Sequence, residues 1–186
     1  MEKQMIGKSH IGPNRSIIVG ALVNGKANYL TLGHCGEMSM NPAIVYISMN
    51  KAHYTNAGIK ENGYFSINIP SKNLVKETDY VGLVSGRDTD KSELFSAFYG
   101  SVNKAPMIEE CPVNILCKLI NTIDLPRNEV FVGEIIETYI NKEYLIDGKP
   151  DMKKINPLLL AGGKYWELGS PVGNAFTNGK ALIKST

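Results

Sequence analysis

The stretch Ser16–Gly33, SIIVGALVNGKANYLTLG, sets two apolar runs on either side of Asn24-Gly25. Asn-Gly is what a two-residue hairpin calls for, because both central residues of that turn need left-handed backbone. Ser16–Val23 and Ala27–Gly33 therefore read as two antiparallel strands with the tightest connection available. Their nearly unbroken apolar character suits strands covered on both faces.

Outward from this hairpin the same grammar repeats. AIVYISMN (43–50) reads as a third strand and GYFSINI (63–69), stopped by Pro70, as a fourth. Between them HYTNAGIKENG (53–63) makes one short helix, with Gly63 available as a left-handed stop. SKNLVKETDYVGLVSG (71–86) starts a second helix at Ser71, puts Leu74, Val75 and Tyr80 on one face and ends at Gly86. Asp90 and Glu93 in DKSE have the spacing of a capping box and predict a third helix start. VNILCKLINTI (113–123) alternates along its length, and EVFVGEIIETYI (129–140) follows a turn containing Pro126. Many medium strands with few helices predict a mainly β chain, an antiparallel barrel and not a doubly wound sheet. No G-x-G-x-x-G, P-loop or nucleophile-elbow pattern occurs, which argues against the folds those motifs accompany.

The chain of 186 residues, 43% hydrophobic and 20% charged, suits a single domain, one that buries roughly 70% of its unfolded surface. A formal charge of +2 is too small to predict nucleic-acid or membrane binding. No apolar run has signal-peptide or bilayer length, so the expected setting is the cytoplasm. Cys111 and Cys117 read as members of one strand and would stand about 20 Å apart along it, too far for a shared disulfide or metal. Among histidines and cysteines only His34 and Cys35 adjoin, so no metal site is predicted.

Three segments could carry chemistry. In VYISMNKAHYT (45–55) the chain leaves a strand and sets Asn50, Lys51, His53 and Thr55 at the mouth of a helix. Unpaired N–H groups there, with a cation, a ring donor and a hydroxyl, favour an anion such as a phosphate. The same residues also fit a plain helix cap with a solvated lysine. In Thr31, Leu32, Gly33, His34, Cys35 and Gly36, two glycines would let a flat polar ring meet exposed backbone groups; a tight connection with Cys35 in the core is the other reading. Ser85, Gly86, Arg87 and Lys91 form a glycine turn flanked by cations, either an anion clamp or a helix end with solvated charges. Gly162-Gly163 before Tyr165 and Trp166 either offers an aromatic edge or ends a strand.

TLGHCG, ISMNKAHYT, ENGYFSINIPSKNLVKETDYVGLVSGRDTDK, APMIEECPVNILCKLINTI, VFVGEII and LLLAGGKY occur in this order. Together they resemble the flavin reductase-like, flavoredoxin-type family of FMN-binding proteins, from about Pro13 to about Gly169, with DYVGLVSGRDTDK the most specific run. The resemblance implies an antiparallel, Greek-key split β-barrel over a core of 13–169, a tail at 170–186, and a homodimer with one FMN near each subunit boundary. It also implies NAD(P)H as reductant, or a redox protein partner in its place. Carried over, Thr31–Gly36 lies along the isoalloxazine ring. Asn50, Lys51, His53 and Thr55 hold the ribityl chain and phosphate, with Ser85, Gly86, Arg87 and Lys91 as a second cluster at that phosphate. Gly33-His34 departs from the bulkier aromatic that members often carry, and no catalytic acid or base is assigned.

Overall fold

The computed structural model describes residues 1–8 and 12–183. Seven strands form its main sheet: β1 Ile17–Val23, β2 Lys26–Leu32, β3 Cys35–Met40, β4 Ala43–Asn50, β5 Tyr64–Ile69, β6 Val113–Asp124 and β7 Asn128–Ile140. Every pairing is antiparallel, in the order β2-β1-β5-β6-β7-β4-β3. β2 and β3 are thus the two edges of the sheet, yet only Gly33 and His34 separate them in sequence. A two-residue link can join opposite edges only if the sheet curls until they meet, so the sheet is a barrel whose β2–β3 seam is unpaired.

The hairpin forms as its sequence requires: Asn24 and Gly25 both have positive φ, 51° and 75°, and Val23 pairs with Lys26. The barrel interior holds Ile17, Val19, Leu30, Ile47, Phe65 and Phe131, among others. A second layer, Ile18, Tyr29, Val81, Phe95, Ile108 and Cys111, covers the outer face of β1 and β2. Two-sided burial is why β1 carries almost no polar residue.

Helix α1, Thr55–Asn62, bridges β4 and β5 and stops at Gly63, whose N–H donates to Ile59 from left-handed backbone. Helix α2 is shorter than its sequence suggests. A 3-10 turn at Lys72–Leu74 precedes it, Ser71 makes no capping bond, and the helix runs only over Val75–Leu83. Its buried residues are Thr78 and Val81, while Tyr80 is exposed. The helix expected at Asp90 does not form. The Asp90 carboxylate instead accepts the Ser92 N–H at 2.9 Å and pairs with Lys26 at 2.9 Å, leaving only turns.

Cys111 lies before β6 and not within it; it and Cys117 are buried free thiols. Gly162-Gly163 closes a small hairpin of Leu159–Ala161 with Lys164–Trp166. Tyr165 there donates to Asp79 at 3.0 Å, and the Trp166 indole donates to the Ala161 carbonyl at 3.0 Å. His10 and residues 184–186 of the predicted tail lie outside the described residues.

Candidate phosphate pocket at the mouth of helix α1

The start of α1 faces the loop that follows α2 across a cavity of about 290 Å³. His53, Thr55, Ser85, Gly86, Arg87 and Lys91, six of the residues the sequence singles out, line it together. They meet because β4 delivers residues 52–55 to one end of the barrel while α2, packed on β2, returns the chain to that end. A second cavity of about 380 Å³ adjoins the first, with Tyr54, Gly86 and Arg87 in the wall of both.

Gly86 is what allows the two segments to meet. A Cβ there would stand 2.0 Å from Asn28 Oδ1 and 2.8 Å from the Tyr54 ring. The glycine thus serves close approach of backbone to its own chain before any ligand. Arg87 lays its guanidinium 5.9 Å from the centre of the Tyr54 ring, and among the described residues it pairs with no carboxylate. This cation–π contact leaves its donors to an anion.

Lys91 is not the solvated cation of the plain helix-end reading. It is 3% exposed, and its ammonium donates to the carbonyls of Val81 at 3.1 Å and Val84 at 3.0 Å. These carbonyls end α2 and would otherwise lack partners. Burial pushes the Lys91 pKa down to about 8. Lys91 therefore holds the loop carrying Ser85–Arg87 and adds charge from beneath the cavity.

The His53 Nδ1 is buried without a hydrogen-bond partner. Burial, and then the Lys91 charge, lower its pKa. A buried polar atom left open beside a cavity points to a ligand in that cavity. A group whose folded pKa lies below its unfolded value makes the unfolded state bind more protons as pH falls through the histidine range. Apo-protein stability should accordingly decline as pH drops below about 6.5. His53→Gln should flatten that part of a denaturation-versus-pH curve, and an unchanged slope would remove His53 as its source.

The other residues singled out have contacts of their own. Lys51 does not line the cavity; its ammonium pairs with Asp124 near the end of β6. Thr55 does not cap α1. Tyr54 occupies the cap position, and the buried Thr55 hydroxyl accepts from Asn28 Nδ2 at 2.8 Å. Asn50 shapes the turn, accepting the Ala52 N–H on its side chain at 2.9 Å and Asn56 Nδ2 on its carbonyl at 3.0 Å. Ser85 accepts the Arg87 N–H at 3.2 Å.

The Thr31–Gly36 segment does not present one continuous face. Thr31 donates to the Thr78 carbonyl beside Gly82 of the cavity wall, Leu32 is in the core, and His34 is exposed. Gly36 is a glycine because a Cβ would strike the Tyr46 ring at 2.7 Å, whereas Gly33 has room for one. Cys35 and Gly36 line a separate cavity of about 250 Å³. Burial pushes the Cys35 thiol up, and it donates to the Arg15 carbonyl at 3.9 Å, which keeps it protonated and a poor nucleophile. Sequence reading missed Tyr54, although it sits inside the quoted run. Its signal is an aromatic at the last position before the helix.

The flavin reductase like domain model matches residues 12–169. The chain belongs to this flavin reductase-like family. A crystal structure of flavoredoxin from Methanosarcina acetivorans is 47% identical, with a TM-score of 0.95 over 98% of this chain and 100% of its own. Flavoredoxin of Desulfovibrio vulgaris (Miyazaki F) is 31% identical, with a TM-score of 0.90 over 96% and 100%. The FMN-binding protein from Thermus thermophilus, seen with p-hydroxybenzaldehyde, shares the fold at 19% identity, with a TM-score of 0.80 over 94% and 97%. The fold is the mainly β split barrel of this family. The flavoredoxin of Methanosarcina also extends along the segment after Gly169, for which the sequence reading had no counterpart. Among the described residues no cluster of three or more His, Cys, Asp or Glu could hold a metal, and no helix is long and apolar enough to cross a membrane.

Proposed function

We propose that the chain binds FMN, with the terminal phosphate in the cavity at the mouth of α1, and acts as an NAD(P)H-dependent FMN oxidoreductase that passes electrons on. The observation that carries this reading is the convergence of His53, Arg87 and Lys91, a ring and two cations, on one cavity at the start of α1. These groups fit a phosphate in charge and donor type. The ring would leave the cavity past Gly82 and Thr31 toward the Gly33–His34 corner, where a small side chain leaves one face open.

FMN, once bound, supplies the redox chemistry. The residues of this chain anchor the phosphate, seat the ring and turn backbone donors toward it. Those donors favour negative charge on the ring and so raise its potential. The working form in this reading is a cytoplasmic homodimer.

One observation favours a second reading: the relative at 47% identity bears the name flavoredoxin, a name for an electron carrier. In that case a redox protein partner, not a nicotinamide, reduces bound FMN. The two separate in a single measurement. Hydride transfer needs the donor carbon within about 3–3.5 Å of the flavin, so NADH or NADPH mixed anaerobically with the FMN-loaded protein should bleach its absorbance within one turnover. That bleaching should outpace the reduction of free FMN. If neither nicotinamide acts while a reduced ferredoxin-type donor does, the carrier reading replaces the first. A protein that purifies colourless and takes up no added FMN sinks both.

A further inference from the structure

Two cavities follow one another along the inner face of β5 and β6. Ile67 of β5 and Ile115 of β6 line the first, of about 250 Å³, together with Val45 and Ile135. Ile69 and Val113, two residues further along those strands, line the second, of about 220 Å³, together with Ile140 and Ile155. Side chains two apart on a strand share a face, so one apolar surface serves both cavities. Each alone is smaller than the usual small-molecule site of about 300–1,000 Å³, and the two in series fall within that range. Neither shares a wall residue with the phosphate cavity, which lies past the end of β4, whereas residues 43–45 at the start of β4 line the first.

Arg15 stands in the wall of both cavities. Its backbone pairs with Leu159, and its carbonyl accepts the Cys35 thiol at 3.9 Å. The residue is half-buried, and among the described residues its guanidinium pairs with no carboxylate. A cation without a counter-charge beside apolar walls suits an anion that carries an apolar body. The guanidinium fork matches a carboxylate with two parallel hydrogen bonds. A phosphate would set close to two negative charges against this single cation in a site poor in water, which is costly. Neither wall contains an aromatic residue, so branched aliphatic side chains meet the ligand and favour an alkyl chain over a flat ring. Glu37, exposed at the first cavity, would repel a second acid group, while Thr138 is the one polar residue beside Arg15 in the second.

We propose that the two cavities form a binding site for a straight-chain monocarboxylate, with its acid group on the Arg15 guanidinium and its chain laid over Ile69, Val113 and Ile140. The site is separate from the one proposed for FMN and does not depend on it.

Titration calorimetry on the full chain with butyrate, hexanoate and octanoate should give one site per chain, with affinity rising roughly tenfold for each added pair of methylenes. 1-Octanol, which keeps the chain and lacks the charge, should bind at least tenfold more weakly than octanoate, and octyl phosphate likewise. Arg15→Met should bring octanoate down to the level of 1-octanol while leaving the thermal melt of the ligand-free protein unchanged. If that variant is unstable, the 1-octanol comparison in the unmodified protein decides alone. Octanoate should bind equally with and without saturating FMN, so a chain that takes up no FMN still tests the site. Absence of binding, more than one octanoate per chain, equal affinity for 1-octanol or octyl phosphate, a stable Arg15→Met protein that holds octanoate as before, or displacement of octanoate by FMN would each overturn the proposal.

Discussion

Arg87→Ala is expected to weaken FMN binding by about ten- to a hundredfold while barely changing riboflavin binding. The two ligands differ only in the phosphate, so the ratio of their losses isolates the group Arg87 serves. A hydrogen bond to a charged partner contributes about 1.5–3 kcal/mol, and each 1.4 kcal/mol is a factor of ten. Arg87 should fall within that range, since its guanidinium already lies over the Tyr54 ring beside the cavity. It also gives up no ion pair to bind, since no carboxylate holds it among the described residues.

Lys51→Ala supplies the contrast. The Lys51 ammonium must leave Asp124 before it can reach a phosphate, so its removal should cost FMN only a few-fold, below the hydrogen-bond range just given. Fluorescence titration of the original apo-protein and both variants with each flavin measures the constants needed. Equal loss of FMN and riboflavin on Arg87→Ala would place the phosphate elsewhere.

This contrast shows where the sequence was legible and where it was not. Asn24-Gly25 declares its hairpin because the turn's φ requirement is local, and Gly63 declares the end of α1 for the same reason. The strands were legible because alternation and two-sided burial leave a pattern within a few residues. The contacts of Lys51, Thr55 and Asp90 were not legible because their partners are remote. Asp124, Asn28 and Lys26 lie dozens of residues away, and each converts a local cap or clamp into a tertiary contact. Lys91 illustrates the same limit: nothing near it in sequence says that it turns inward to the last carbonyls of α2. The resemblance in DYVGLVSGRDTDK singled out a loop that lines the cavity, but only the fold shows which of its cations face it.

Gly86→Ala should lower both the melting temperature of the protein and its hold on FMN. The backbone at Gly86 is not left-handed, so the cost is purely one of contact. The added methyl would stand 2.0 Å from Asn28 Oδ1, where no methyl fits. Asn28 cannot step aside freely, because it is buried and its amide donates to the Thr55 hydroxyl at the start of α1. Tyr54, 2.8 Å away, is tied to the Arg87 stack and accepts from Asn24 at 3.2 Å. The loop must therefore swing outward and carry Ser85 and Arg87 away from His53. Overpacking of this kind costs about 1–3 kcal/mol, which for a domain of this size lowers the melting temperature by roughly 2–12 °C. FMN affinity should fall more steeply than stability, because a shift of about 1 Å is enough to misplace a charged clamp. Gly33→Ala is the matched control: the nearest atom to its added methyl is 3.7 Å away, ordinary contact, so melting should be unchanged. Thermal melts with and without saturating FMN separate the two effects. A Gly86→Ala protein that melts early yet binds FMN like the original would show that the loop is structural and the phosphate sits elsewhere. One that matches the original in both would show that Asn28 yields after all.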